Sequence, residues 1–268
     1  MGRKRESKGW EGDGGRSVTL TAVPGIPLIR PGDDLAAIIL ERMAAAGLAF
    51  QPGDILVVCQ KVISKAEGRL VRLAEVIPSP EALALAARAR KDPRLVELIL
   101  QESRAVLRVR PGLIIVEHRL GWVCANAGID RSNVAEPEDD GWVLLLPEDP
   151  DRSAQTLRRR LHEATGIPVA VIVNDTHGRP FRLGAVGVAI GVAGLAPVAD
   201  LRGQPDLFGR ALQTTTVGLA DEVASAASMV MGQADEGRPV VLVRGLTYPP
   251  GEGAARDLQR SSEKDLFR

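Results

Sequence analysis

Two aspartates, each with hydroxyl and amide side chains close by in sequence, carry the chemistry that this sequence could perform. Asp175 stands in Asn174-Asp175-Thr176-His177-Gly178-Arg179, directly after the apolar run at 169–173. Asp130 stands in Ala127-Gly128-Ile129-Asp130-Arg131-Ser132-Asn133-Val134. A pair of carboxylates that converge in space would hold Mg2+ or Mn2+, with hydroxyl, water and phosphate oxygens completing the shell. Thr176 adds a hydroxyl beside Asp175, Asn133 an amide beside Asp130, and Arg179 a guanidinium fork for phosphate or carboxylate. Lys61, Lys65 and Arg69 recur at helical spacing, so a short helix would present them on one face, either to phosphates or to solvent. The bland alternative for 174–179 is a strand that ends in an Asx-type turn with Gly178.

Other chemistries are excluded one by one. No GxxxxGK[ST] occurs, and the glycines at 184, 187, 191 and 194 form no GxGxxG at a helix start. Cys59 and Cys124 are far apart and form no CxxC, which argues against a disulfide framework or a zinc site and fits a reducing cytosol. His118 and His162 lie in surface-like contexts, and His177 beside one aspartate makes no zinc site. Lysine plus arginine equals aspartate plus glutamate at 34 each, so a bulk nucleic-acid binder is not expected. The uncharged run at 183–199 falls short of a membrane span and carries four glycines and Pro197, so it is expected to be buried strand and turn.

The elements that must position these groups follow from periodicity and punctuation. Residues 1–16 are a polar, glycine-rich arm expected to be disordered, without the apolar middle of a signal peptide. Strands are expected at 17–23, 55–59, 106–109, 113–117, 122–125, 143–146, 169–173, 212–218 and 239–243. Helices are expected at 34–46 capped by Asp33, at 60–68, at 80–90 and 93–103 with proline in the first turn, at 153–165, at 221–231 and at 256–267. Residues 136–141 form an acidic linker. Asp130 and Asp175 would then both lie on loops after strands. Strands often follow strands without a helix between them, which favours an α+β fold with mixed, largely antiparallel sheets and flanking helices.

Several blocks occur together in a way that resembles a known family. Pro24-Gly25-Ile26-Pro27-Leu28-Ile29 with Gly32-Asp33-Asp34-Leu35 is similar to the N-terminal signature of the coenzyme F420-0:L-glutamate ligases, also called F420 γ-glutamyl ligases. So are Gly53-Asp54-Ile55-Leu56-Val57-Val58, Val62-Ile63-Ser64-Lys65-Ala66-Glu67-Gly68-Arg69, and the loop from Asn126 to Val134. Asp149-Pro150-Asp151, Asp175-Thr176-x-Gly178-Arg179 and Ala220-Asp221-Glu222 complete the set, in family order over roughly 20–255.

The resemblance implies a cytoplasmic, homodimeric, GTP-dependent enzyme that forms an amide bond between L-glutamate and coenzyme F420-0 through an acyl phosphate. It implies Mg2+ or Mn2+, two per subunit, with K+ as a further candidate, GTP as co-substrate, and neither nucleic acid nor membrane as partner. The ligase domain would span 17–250, with a loop and helix at 251–268. By carry-over, Asp130 and Asp175 would bind metal and Thr176 a second metal. Lys65, Asn133 and the segment Ile26, Pro27, Leu28, Ile29 would hold GTP, with Gln60 contributing. Lys65 and Asp175 would be catalytic. The family commonly has a small hydroxyl residue where this chain has Gln60. An archaeal relative has a metal-binding acid where this chain has Gln233 in Met231-Gly232-Gln233, and a neutral amide oxygen is a weaker ligand. His177 fills the variable slot and receives no role. A related amide ligase with a different acceptor, and a metal–nucleotide binding protein without turnover, stand as alternatives.

Overall fold

The structure is a computed structural model and describes residues 17–134 and 141–265. The arm at 1–16, the acidic residues at 136–140 and the last residues of the expected closing helix lie outside the described residues. Five strands form the central sheet in the order β1 (Thr19–Ala22), β12 (Val240–Arg244), β2 (Ile55–Cys59), β8 (Ala170–Arg179) and β9 (Arg182–Ala193). β2 and β8 run parallel, from Ile55 opposite Ala170 to Cys59 opposite Asn174, and the other neighbours are antiparallel.

β2 and the first half of β8 are unbroken aliphatic runs because both faces of the sheet are covered. Leu56, Val58, Val171, Val173 and Leu242 point into a core shared with α1 (Leu35–Ala45) and α5 (Pro150–Thr165). Their neighbours Ile55, Val57, Ile172, Val241 and Val243 point the other way, into a core shared with α6 (Leu219–Met231). Burying these side chains on both faces, at roughly 1.5–3 kcal/mol each, fixes the register, since a one-residue slip would exchange the two faces. Asp221 pins α6 to β9 by accepting the Ala189 N–H at 2.9 Å.

A second lobe packs beside this sheet. β4 (Ser103–Arg110), β5 (Leu113–His118) and β6 (Val123–Ala125) form an antiparallel sheet. It lies against α3 (Pro80–Ala89) and α4 (Pro93–Gln101) over a third core that includes Ile99, Ile114 and Val116. The short pair β3 (Leu70–Arg72) and β7 (Trp142–Leu144) adjoins that core through Val143. An α+β fold with largely antiparallel sheets is therefore what the chain adopts. Among the described residues, no helix is long and apolar enough to cross a membrane, and most of the run at 183–199 is β9.

Several expectations are corrected. β8 does not end at Val173 but continues through the polar residues to Arg179, because β9 supplies an antiparallel partner as far as Arg182. The cap of α1 is Asp34, whose carboxylate accepts the Ala37 N–H, while Asp33 closes the preceding turn by accepting the Arg30 N–H. The strand expected at 212–218 is reduced to β11 (Thr216–Val217), which pairs only with β10 (Ala199–Asp200). The closing helix is instead two 3-10 turns, Ala255–Leu258 and Ser262–Lys264, because the segment lacks an apolar stripe at helical spacing.

Glu102, just after α4, ties the lobe to the rest. Its carboxylate receives Arg69 Nη2 and Arg119 Nε, each at 3.0 Å, and Arg69 also donates to the Leu146 carbonyl at 2.9 Å. Burial alone would push the Glu102 carboxyl up, but His118, Arg119 and Arg69 together hold it down to about 2 against an ordinary 4.5. A folded value below the unfolded one means that the stabilisation is fully present above the ordinary value and is lost as pH falls toward about 2. Glu102→Gln is therefore expected to cost on the order of 3 kcal/mol at neutral pH, with the gap to the parent protein closing in acid. Urea unfolding across a pH series checks this, and a gap independent of pH would refute it.

Candidate active site

The site begins where β2 stops. Cys59 is the last residue of the strand and the N-cap of α2 (Gln60–Ala66), so no loop intervenes. Asn174 of β8 lies level with Cys59, which makes Asp175 the first β8 residue beyond the end of β2. The carboxyl ends of two parallel strands thus open on one side, the place where α/β sheets commonly take ligands.

The loop at 126–134 closes over this opening. Its backbone is left-handed at Asn126 (φ 49°), Ala127 (φ 54°) and Asn133 (φ 56°), which is unusual for residues with a Cβ. Gly128 shares that conformation, and a Cβ there would meet Leu146 Cδ1 at 2.7 Å. Asp130 is then fixed by reciprocal backbone hydrogen bonds with Leu144, both 2.9 Å.

Both oxygens of Asp130 are engaged by α2. Gln60 Nε2 donates to Oδ2 at 2.5 Å, and Lys61 Nζ lies 3.3 Å from Oδ1. Gln60 is only 1% exposed, and its other polar atom, Oε1, accepts Ser64 Oγ–H at 3.0 Å. Lys61 also donates to the Ser132 carbonyl and hydroxyl, each at 3.1 Å, and Lys65 donates to the Asn133 carbonyl at 2.7 Å. The two lysines therefore face the Asp130 loop together. Arg69 does not join them. It lies beyond the end of α2, past the left-handed Gly68, and is used on Glu102.

Burial raises the Asp130 carboxyl, Lys61 pulls it down, and the charge of Asp175 raises it again. Asp130 and Asp175, distant in sequence, are thus electrostatic neighbours. Both also act on Cys59, whose buried thiol is pushed up to about 11, and Cys124 is pushed up to about 12. Neither cysteine is a thiolate nucleophile at neutral pH.

Strand alternation sends Asp175 and His177 to one face of β8 and Thr176 to the other. On the first face His177 Nε2 lies 2.9 Å from Asp175 Oδ2. On the second, Thr176 Oγ–H donates to Gln233 Oε1 at 3.1 Å. The turn after α6 that carries Gln233 is fastened to the Asp130 loop by Asn133 Nδ2, which donates to the Ala234 carbonyl at 2.8 Å. The segment at 26–29 shares a core with α2 through Ile26 and Ile29, and just beyond it Gly32 N–H donates to the Ala66 carbonyl at 2.9 Å. Within that segment Ile29 is buried and Leu28 is exposed.

The donor types suit a hard divalent cation: two partly buried carboxylates, with burial and the charge of Asp175 both opposing ionisation of Asp130. Thr176 and Gln233 offer neutral oxygens that already pair with each other, a weaker hold for such an ion. Among the described residues, no three His, Cys, Asp or Glu side chains close into a metal cage, so a cation would also rely on water or phosphate oxygens.

Two further expectations fail here. Arg179 is not a free fork, since its Nη2 turns back onto the Leu183 and Gly184 carbonyls at 3.3 and 3.4 Å. His118 is not at the surface but fully buried, stacked on Trp122 with centroids 5.4 Å apart. The contact of His177 with Asp175 was not anticipated from sequence. The signal was present, since i and i+2 share a face of any strand, but it required β8 to continue.

Comparison with known proteins bears on the same residues. A family model described as F420-0:Gamma-glutamyl ligase matches residues 25–245. The chain is 52% identical over 255 residues to the Coenzyme F420:L-glutamate ligase of Methanothermobacter thermautotrophicus, covering 94% of this chain and 99% of that protein. It is 52% identical over 256 residues to the same-named protein of Methanopyrus kandleri, covering 94% and 98%. With that of Archaeoglobus fulgidus it shares 48% identity over 251 residues, covering 94% and 96%.

Proposed function

The chain belongs to the F420-0:gamma-glutamyl ligase family, and from that membership we propose that it joins L-glutamate to coenzyme F420-0 in a GTP-dependent reaction. The observation that supports the reading is that α2 brings Lys61 to Asp130 and Lys65 to the Asn133 carbonyl of the same loop, with the charge of Asp175 acting on the Asp130 carboxyl. A carboxylate accepts no amine at neutral pH, so it must first be activated. The acceptor's carboxylate oxygen attacks the γ-phosphorus of GTP, the bond to the β-phosphate oxygen breaks, and GDP leaves. The glutamate nitrogen then attacks the acyl carbon of the acyl phosphate. Phosphate departs with the acyl oxygen, and the amine proton passes to solvent.

Asp130 and Asp175 would hold Mg2+ or Mn2+, with Thr176 and Gln233 presenting neutral oxygens from the other face of β8. When bound, the cation supplies positive charge to the phosphate oxygens. Lys61 and Lys65 bring ammonium groups to the same wall, where they favour a triphosphate. Gln60 acts on Asp130 rather than on open solvent, so its part in nucleotide binding is to orient that carboxylate. A second copy of the chain would cover the apolar side chains that stand out at Phe181, Leu183, Leu207 and Phe208, all at least 86% exposed.

The test is direct. Purified protein is incubated with F420-0, L-glutamate, GTP and Mn2+, and the products are read by mass spectrometry. A product heavier by a glutamyl residue, with GDP formed in step, is expected. GTP and Mn2+ binding without either product would favour the binding protein, the reading suggested by the neutral amides at 60 and 233. GDP without glutamylated F420-0 would favour a different acceptor.

A further inference from the structure

His177 fills a slot in which the Asp-Thr-x-Gly-Arg block specifies nothing, yet the structure gives it a defined task. Its Nε2 lies 2.9 Å from Asp175 Oδ2, and both side chains are about seven-eighths buried. With Asp175 ionised, that nitrogen carries the hydrogen and donates it. The ring is also held from behind. Its centroid lies 6.4 Å from that of Trp122, tilted by 49°. Trp122 in turn stacks on His118 at 5.4 Å and 9°. His118 is fully buried, and its Nδ1 accepts the Leu120 N–H at 3.1 Å. The imidazole is therefore placed by a row of rings rooted in the second lobe, and it is not a side chain that wanders over the surface.

From this arrangement we infer that His177 is a positioning residue for Asp175, committing Oδ2 to the imidazole and leaving Oδ1 as the oxygen that meets a divalent cation. The inference rests on the proposal that Asp130 and Asp175 share such a cation. A carboxylate free to rotate offers either oxygen or both and loses torsional freedom on binding. One already clamped by a hydrogen bond has met that entropic cost in the folding of the protein. The device suits a site in which the partner carboxylate is held in the same manner, since Gln60 occupies Asp130 Oδ2. The two aspartates are thereby gripped from opposite sides, one by α2 and one from within β8.

The test uses the full chain with Mn2+ alone, and the free ion is followed by electron paramagnetic resonance. His177→Phe keeps a ring against Trp122 but has no donor, whereas His177→Gln keeps a donor but has no ring. Asp175→Asn reports on the metal site itself. We expect His177→Phe to weaken Mn2+ binding about tenfold at nearly unchanged thermal stability, and His177→Gln to stay within about threefold of the parent protein. Parent-like binding by His177→Phe would overturn the inference, and so would equal losses in the Phe and Gln variants, which would assign the effect to ring packing. If the Phe variant does not fold, His177→Ala against His177→Gln makes the same comparison. Failure of the parent protein to bind Mn2+, or undiminished binding by Asp175→Asn, would instead overturn the shared-cation reading and the inference with it.

Discussion

Asp130→Asn and Asp175→Asn each lower the rate of glutamate ligation by about 10²–10³-fold without unfolding the protein, an effect of the size expected when a charged group that stabilises the transition state is neutralised. The loss should fall on kcat and on kcat/KM together, because the charge matters most while the phosphoryl group is in transit. Stability is expected to hold because the substitution keeps shape and removes a penalty. Burial and the Asp175 charge both oppose ionisation of Asp130, so the neutral amide relieves the fold of a like-charge contact. Gln60 still finds an oxygen acceptor at position 130, and only the ion pair of Lys61 is lost. Steady-state ligation kinetics with a thermal melt of each variant provide the check. Full activity in either variant would remove the metal reading, and an unfolded variant would show that the carboxylate is structural.

Lys65→Ala raises the KM for GTP by an expected tenfold or more, and does so more than Lys61→Ala. Lys65 combines two losses in a single substitution. It removes an ammonium from the wall of the site, and it breaks the 2.7 Å hydrogen bond to the Asn133 carbonyl, which holds the left-handed end of the Asp130 loop. Asn133 is itself one of the residues expected to hold the nucleotide. Lys61 shares its charge with Asp130 at 3.3 Å and with two Ser132 oxygens, so part of its field is already spent within the protein. Its removal should weaken GTP binding less, while making Asp130 easier for a cation to reach. Equal effects of the two substitutions on the KM for GTP would mean that the lysines serve the Asp130 loop and not the nucleotide.

What could be read in advance followed local signals. Ile55–Cys59 is a β-branched run bounded by Pro52-Gly53 and by the polar start of α2, and it forms as expected. Proline in the first turn located α3 and α4, and Gly166 ended α5 in the left-handed conformation. The Asp130 and Asp175 blocks were legible as motifs, though not their settings. Asp130 sits in a backbone bridge to Leu144 and Asp175 inside a strand, because both depend on pairing with residues remote in sequence. His118 was misplaced for a different reason. Its neighbours Glu117 and Arg119 are polar, and only the packing of Trp122 over it shows that it is buried. Arg69 obeyed helical spacing on paper, but α2 had ended three residues earlier, at Ala66.

The absence of any spacer between Cys59 and Gln60 constrains how this lineage can change. Each residue of an α-helix turns by about 100°, so one residue gained or lost at that junction would swing Gln60, Lys61 and Lys65 to another bearing at once. Drift there must proceed by substitution at constant length. The excursion at 201–215 carries no such angular constraint at its base, since Leu201 N–H to the Thr215 carbonyl and Gly203 N–H to the Leu212 carbonyl close it upon itself, and among the described residues only Leu207 and Phe208, which a second copy would cover, tie it to anything beyond. Length variation among descendants of this sequence should therefore be found in that excursion sooner than at the seam between strand and helix, where the count of residues is fixed.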